Sequence, residues 1–129
     1  MRGNALHNSI ASDTRDACSD LGIHSHLEYS IMINGRYLYL DVAAWLCDRL
    51  IAIEIETSLR HIDSTVAKAR ELGLELLIVV PRRKLRRQVA NKLKKLYGRT
   101  LGKQPSVVLL DELKATLTRR ITGDITANC

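Results

Sequence analysis

The stretch from Tyr37 to Ser58, YLYLDVAAWLCDRLIAIEIETS, most constrains what this chain can fold into. It reads as two apolar strands joined by a short turn at Cys47-Asp48-Arg49, with Asp41 on the first and Glu54 and Glu56 on the second. Burying a carboxylate without a compensating cation or hydrogen bonds is costly, so acidic residues on apolar strands call for a reason. One reason is structural: alternation puts Glu54 and Glu56 on the face opposite Ile53 and Ile55, and a solvated sheet face would accommodate them. The other is chemical: carboxylates gathered at one end of a sheet suit a hard divalent metal such as Mg²⁺.

The flanking sequence gives the rest of an α/β order. Leu6 to Leu21 has helical periodicity and stops at Gly22. His26 to Ile33 reads as a strand, and Asn34-Gly35 is a tight-turn signal leading into a strand over Arg36 to Leu46. Leu50 to Thr57 is the third strand. Thr57 or Ser58 can cap a helix that carries Ile62, Val66, Ala69 and Leu72 on one side and ends at Gly73. Leu74 to Val80 is almost wholly apolar, as a central strand covered on both faces must be. Pro81 opens a basic helix that Gly98 ends, with Leu85, Val89, Leu93 and Leu96 on its buried side. Ser106 to Leu110 is a last strand, Asp111 to Ile121 a last helix. These elements predict a single domain over residues 1–121 with a flexible tail over 122–129, built on a mixed central sheet flanked by helices.

Charge is distributed unevenly. The net charge is +6, yet Arg82 to Lys103 contains ten basic residues and no acidic one, while the rest of the chain has ten basic against fourteen acidic. Such a field attracts polyanions, nucleic acid first among them, although a solvated helix face would have the same composition. Arg82, Arg83, Lys84, Arg86, Arg87, Lys92, Lys94 and Lys95 are the candidate nucleic-acid contacts. No apolar run approaches the ~18–20 residues of a membrane span, and the N-terminus shows no signal-peptide core. Cys18, Cys47 and Cys129 fit neither a zinc spacing nor a disulfide framework, which predicts free thiols and a cytoplasmic location. No phosphate-binding glycine loop or dinucleotide fingerprint is present. Four Tyr, one Trp and no Phe make a base-stacking platform for single strands an unpromising reading.

Asp41, then Glu54 thirteen residues on, then Glu56, following an α-β start, resembles the PD-(D/E)XK nuclease superfamily with its restriction-endonuclease-like fold. Archaeal Holliday junction resolvases are members of similar size. The resemblance covers roughly Ala5 to Val80 and implies an αβββαβ core, here with an extra C-terminal β-α unit. It implies that Asp41 and Glu54 ligate Mg²⁺ or Mn²⁺, that DNA is the substrate, and that the protein acts as a homodimer. Glu56 stands where the family has its motif lysine. A carboxylate there cannot supply positive charge, but it can bind a second metal or act as a base. Lys68, on the helix after the third strand, is the candidate to replace the missing cation; a solvated helix position is the alternative. Glu28 on the first strand matches the place of an additional acidic ligand in some members, and His7 in the first helix the place of a phosphate-facing Glu or His; a simply exposed His7 is the alternative. His24 and His26 lack a third ligand and read as polar surface; Arg60 and His61 open the helix after Glu56, where they could touch phosphate, with a helix-start surface role as the favoured reading.

Three functions follow as expectations: a metal-dependent DNA endonuclease, with structure-specific cutting of the junction-resolvase kind as one form of it; a catalytically inactive nucleic-acid-binding module on the same fold; and an assembly protein whose charge serves only solubility.

Overall fold

The computed structural model describes residues 4–98 and 104–126, with side chains to residue 122. Arg99, Lys103 and Cys129 therefore lie outside the described residues.

The element order is α1 (Ala5–Asp20), β1 (His24–Ile33), β2 (Arg36–Leu46), β3 (Arg49–Ile55), α2 (Ile62–Leu72), β4 (Glu75–Val80), α3 (Arg83–Tyr97), β5 (Ser106–Leu109), a 3₁₀ turn (Leu110–Glu112) and α4 (Leu113–Thr126). The expected α/β class and mixed sheet are thus present. α2 begins four residues later than Ser58, because residues 58–61 form a turn in which Ser58 Oγ accepts from the Arg60 N–H. α4 continues to Thr126, past the expected end at Ile121.

The five strands lie side by side in chain order. β1–β2 and β2–β3 are antiparallel, whereas β3–β4 and β4–β5 are parallel. Asn34 and Gly35 both take positive φ, the backbone that the tight β1–β2 turn needs. β4 is apolar throughout because both its faces are covered: Leu77 and Val79 pack into one core layer, Leu76, Ile78 and Val80 into the other. α1 and α4 cover the first layer, α2 and α3 the second.

One irregularity of the sheet positions the acidic residues of β2 and β3. Side chains two apart on a strand normally share a face. On β2, however, Leu40 packs in the α2/α3 layer and Val42 in the α1/α4 layer, so the strand turns over at Asp41. β1 does the same opposite it: Leu27 and Tyr29 belong to different layers, and Glu28 between them has φ +49°. The β2–β3 ladder stops at the Val42–Ile53 pair, immediately before this twist. β2 and β3 therefore separate in a fork whose crotch is Asp41 and Glu54.

Among the described residues no helix is long and apolar enough to cross a membrane. Cys18 is a free buried thiol, and burial pushes its pKa up to about 11. Cys47 is disulfide-bonded, which corrects the expectation of free thiols and removes that support for a reducing compartment.

Candidate functional site

Where two strands part, backbone N–H groups lose their ladder partners and must find others. Here the two carboxylates take them reciprocally. The Asp41 N–H donates to Glu54 Oε2 at 2.8 Å, and the Ile55 N–H donates to Asp41 Oδ2 at 2.8 Å. Each acidic side chain thus replaces a strand carbonyl, and both are fixed by backbone.

Glu54 is only 1% exposed and Glu56 only 6%. A solvated sheet face is thereby ruled out as the explanation for these residues: the helices of the α2/α3 layer cover them. Burial and then the neighbouring Asp41 charge push the Glu54 pKa up to about 7, against the opposing pull of Lys68. Lys68 forms an ion pair with Glu54 Oε1 and donates to the Tyr39 carbonyl at 2.6 Å. It is held by the fork rather than solvated, its side chain 17% exposed. From the other layer, His7 in the first turn of α1 brings Nε2 to 3.2 Å from Asp41 Oδ2. Asn4 fixes that turn by accepting from the His7 N–H at 2.8 Å.

Glu56 points elsewhere. Its Oε1 accepts from Thr65 Oγ at 2.5 Å, and burial raises its pKa. Thr65→Val removes that donor and leaves a buried carboxylate short of one hydrogen bond. We expect a loss of about 1–3 kcal/mol in urea unfolding at pH 8, and a smaller loss at pH 5, where Glu56 takes up a proton more readily.

Asp41, Glu54, Glu56, Lys68 and His7 line one cleft of about 680 Å³, together with Arg36, Arg60 and His61. Arg36 reaches across it to Glu71 on α2 with two 2.6 Å hydrogen bonds. For Arg60 and His61 the sequence favours a surface role over a phosphate contact; both line the cleft, a place that follows from the turn that delays α2. Glu28 is not brought to this site. It faces solvent on the edge strand, outside the cleft, because its left-handed backbone turns it away. None of the basic residues of α3 lines the cleft. Arg86 is engaged by Glu112, whose carboxylate also feels the Arg83 charge, and Lys92 lies 3.6 Å from Asp63, while Arg82, Lys84, Arg87, Lys94 and Lys95 form no ion pair among the described residues.

Among the described residues no three His, Cys, Asp or Glu side chains form a cluster able to hold a metal on their own. Two carboxylates are nevertheless a fitting donor set for Mg²⁺ or Mn²⁺, which keep waters and take substrate phosphate oxygens as further ligands. Asp41 Oδ1 has no partner among the described residues, since both contacts to Asp41 use Oδ2.

No family model matches the chain, and no curated protein matches it in sequence. Solved structures do. One is AF1548, described as a protein of unknown function, with a TM-score of 0.58 at 13% identity over 92% of this chain and 67% of that one. Another is protein VC1899 from Vibrio cholerae, with a TM-score of 0.53 at 20% identity over 88% of this chain. The match spans about a third (32%) of VC1899. At these identities the likeness is one of fold.

Proposed function

We propose that this chain is a metal-dependent endonuclease acting on DNA, with its reactive centre at the β2–β3 fork. The observation that carries this reading is the convergence of Asp41, Glu54 and Lys68 in one cleft, two carboxylates and a cation fixed by backbone contacts. Asp41 and Glu54 would hold Mg²⁺ or Mn²⁺. The chemistry such an ion supplies when bound is a water of lowered pKa and a polarised phosphoryl oxygen.

The chain's own groups do the remainder. Lys68 is tied to the strand through the Tyr39 carbonyl, so its charge is already in place to offset charge growing on a phosphodiester. It supplies from α2 the cation that Glu56 does not. His7 holds Asp41 from the α1 side, and Arg60 and His61 offer donors to phosphates at the cleft mouth. The cations of α3 suit the duplex backbone beyond the cleft, a contact that carries no sequence information. Symmetric cleavage of two strands requires two such sites, hence a homodimer.

The test is incubation of the protein with linear, flapped and four-way DNA in Mg²⁺ or Mn²⁺. Divalent-dependent cleavage supports the reading; binding with all three DNAs left intact contradicts it. That second outcome is the one expected of a binding module, which is favoured by the engagement of both Glu54 oxygens, by Lys68 and by the Asp41 N–H. The grip of α3 has its own check. Replacing Arg83, Lys84 and Arg87 together by Ala should flatten the slope of log affinity against log salt by roughly 2.7, about 0.9 per phosphate contact.

A further inference from the structure

The α2/α3 layer of the sheet carries an aromatic row that the fork does not use. Trp45 on β2 lies between two β1 rings: His24 at 5.0 Å, tilted, and Tyr29 at 5.2 Å, edge-on. His26 continues the row, edge-on to Tyr29 at 5.6 Å. His24 and His26 are exposed, Tyr29 and Trp45 half-buried. His26 is anchored by its Nδ1, which donates to the Leu27 carbonyl at 2.7 Å. Thus the chain's single Trp, one of its four Tyr and two of its four His gather at one edge of one sheet face.

We propose that this row is a stacking platform for the bases of single-stranded nucleic acid. The inference rests on the reading of DNA as substrate and specifies its form: a substrate with an unpaired strand beside the cut.

Three observations favour this occupant. None of the three contacts is a face-to-face stack, and His24 and His26 at the two ends of the row are exposed, so their open faces can take a nucleobase. The row packs on the same core layer as α3, which sits over β4 and β5 toward the other edge, so the cations of α3 share its face of the sheet. The cleft reaches the same face of the hairpin: its wall residue Leu38 pairs with Ile31, and Ile31 and Tyr29 both pack into that layer. Tyr29, two residues from Ile31 on β1, is thus the member of the row nearest the cleft wall along that strand. The twist at Glu28 and Asp41 is what turns Tyr29 to this face beside Trp45.

Trp45 is the only tryptophan, so its fluorescence reports on the row directly. The probe is an oligothymidylate of about 12 nucleotides, within the ~4–16 of single-strand sites, compared with an abasic oligonucleotide of the same length. We expect oligothymidylate to quench Trp45 and the abasic strand to bind more weakly without quenching. Tyr29→Leu should weaken oligothymidylate about tenfold and leave abasic binding unchanged. The double variant His24→Ala with His26→Ala, both on exposed positions, should do the same without perturbing the fold.

Unchanged Trp45 emission with oligothymidylate, or equal binding and quenching by the abasic strand, overturns the proposal. So does a blue shift of Trp45 that grows with protein concentration in the absence of nucleic acid, which would make this face a protein interface. The nuclease reading fails separately. Quenching by oligothymidylate with all DNA left intact keeps the platform and removes the catalysis. Cleavage abolished by Asp41→Asn, with Trp45 silent, does the reverse.

Discussion

Replacing Lys68 with methionine is expected to destabilise the protein by on the order of 2–3 kcal/mol at pH 9 and by much less at pH 5. Methionine keeps most of the apolar stem and removes only the charge. At pH 9 Glu54, 1% exposed, is left ionised without its partner or must take a proton against the solution. At pH 5 Glu54 is already protonated in the native state, because burial and Asp41 push its pKa up to about 7. Lys68 then faces a neutral acid and its loss costs little. Urea unfolding at the two pH values measures this; equal losses at both would mean that Lys68 does not compensate Glu54. The same variant should lower cleavage about 10²–10³-fold, as removal of one preorganised charge-stabilising donor does elsewhere.

The wild type carries the same sign. A carboxyl whose folded pKa exceeds its unfolded 4.5 binds more protons in the native state between 4.5 and about 7. Its stabilising contribution is complete below that window and is lost as pH rises through it, on the order of 3 kcal/mol in all. The ionised Glu54 that a divalent metal requires is thus formed at the expense of fold stability. Metal binding would recover that loss.

Asp41→Asn is the second large effect. The asparagine oxygen can still accept from the Ile55 N–H, so the fork should close as before. What disappears is the charge that raises Glu54, and the pH dependence of stability should shrink accordingly. Cleavage should fall at least about a hundredfold, since even groups that only support a metal ligand cost 10–100-fold. DNA affinity should be unchanged, because α3 lies outside the cleft. Equal cleavage by this variant and the wild type would place the chemistry elsewhere.

The α/β order was legible because period and punctuation agree: Asn34-Gly35, Gly73 and Gly98 mark ends that the strands and helices respect. β4 was legible from its unbroken apolar run. Asp41 and Glu54 stood out because acidic residues are rare on such strands, and Lys68 because a cation was missing. The twist at Asp41 was not legible. Nothing in YLYLDVAAW signals a change of face, and without it strict alternation assigns Leu40 and Val42 to one layer. The same blindness hid the aromatic row, which Tyr29 joins beside Trp45 only because β1 turns over at Glu28. Glu28 was misplaced for a related reason: its position on β1 is opposite Asp41, but its left-handed backbone directs it to solvent. Arg60 and His61 enter the cleft through a turn that no residue pattern announced.

The proposed function requires that Asp41 and Glu54 form a divalent-metal site at the fork. Titration of Mn²⁺ into the protein at pH 8, followed by the electron paramagnetic resonance of the free ion, tests it without nucleic acid. The prediction is one site per chain in the wild type, absent in Asp41→Asn. An identical titration for both proteins would contradict it.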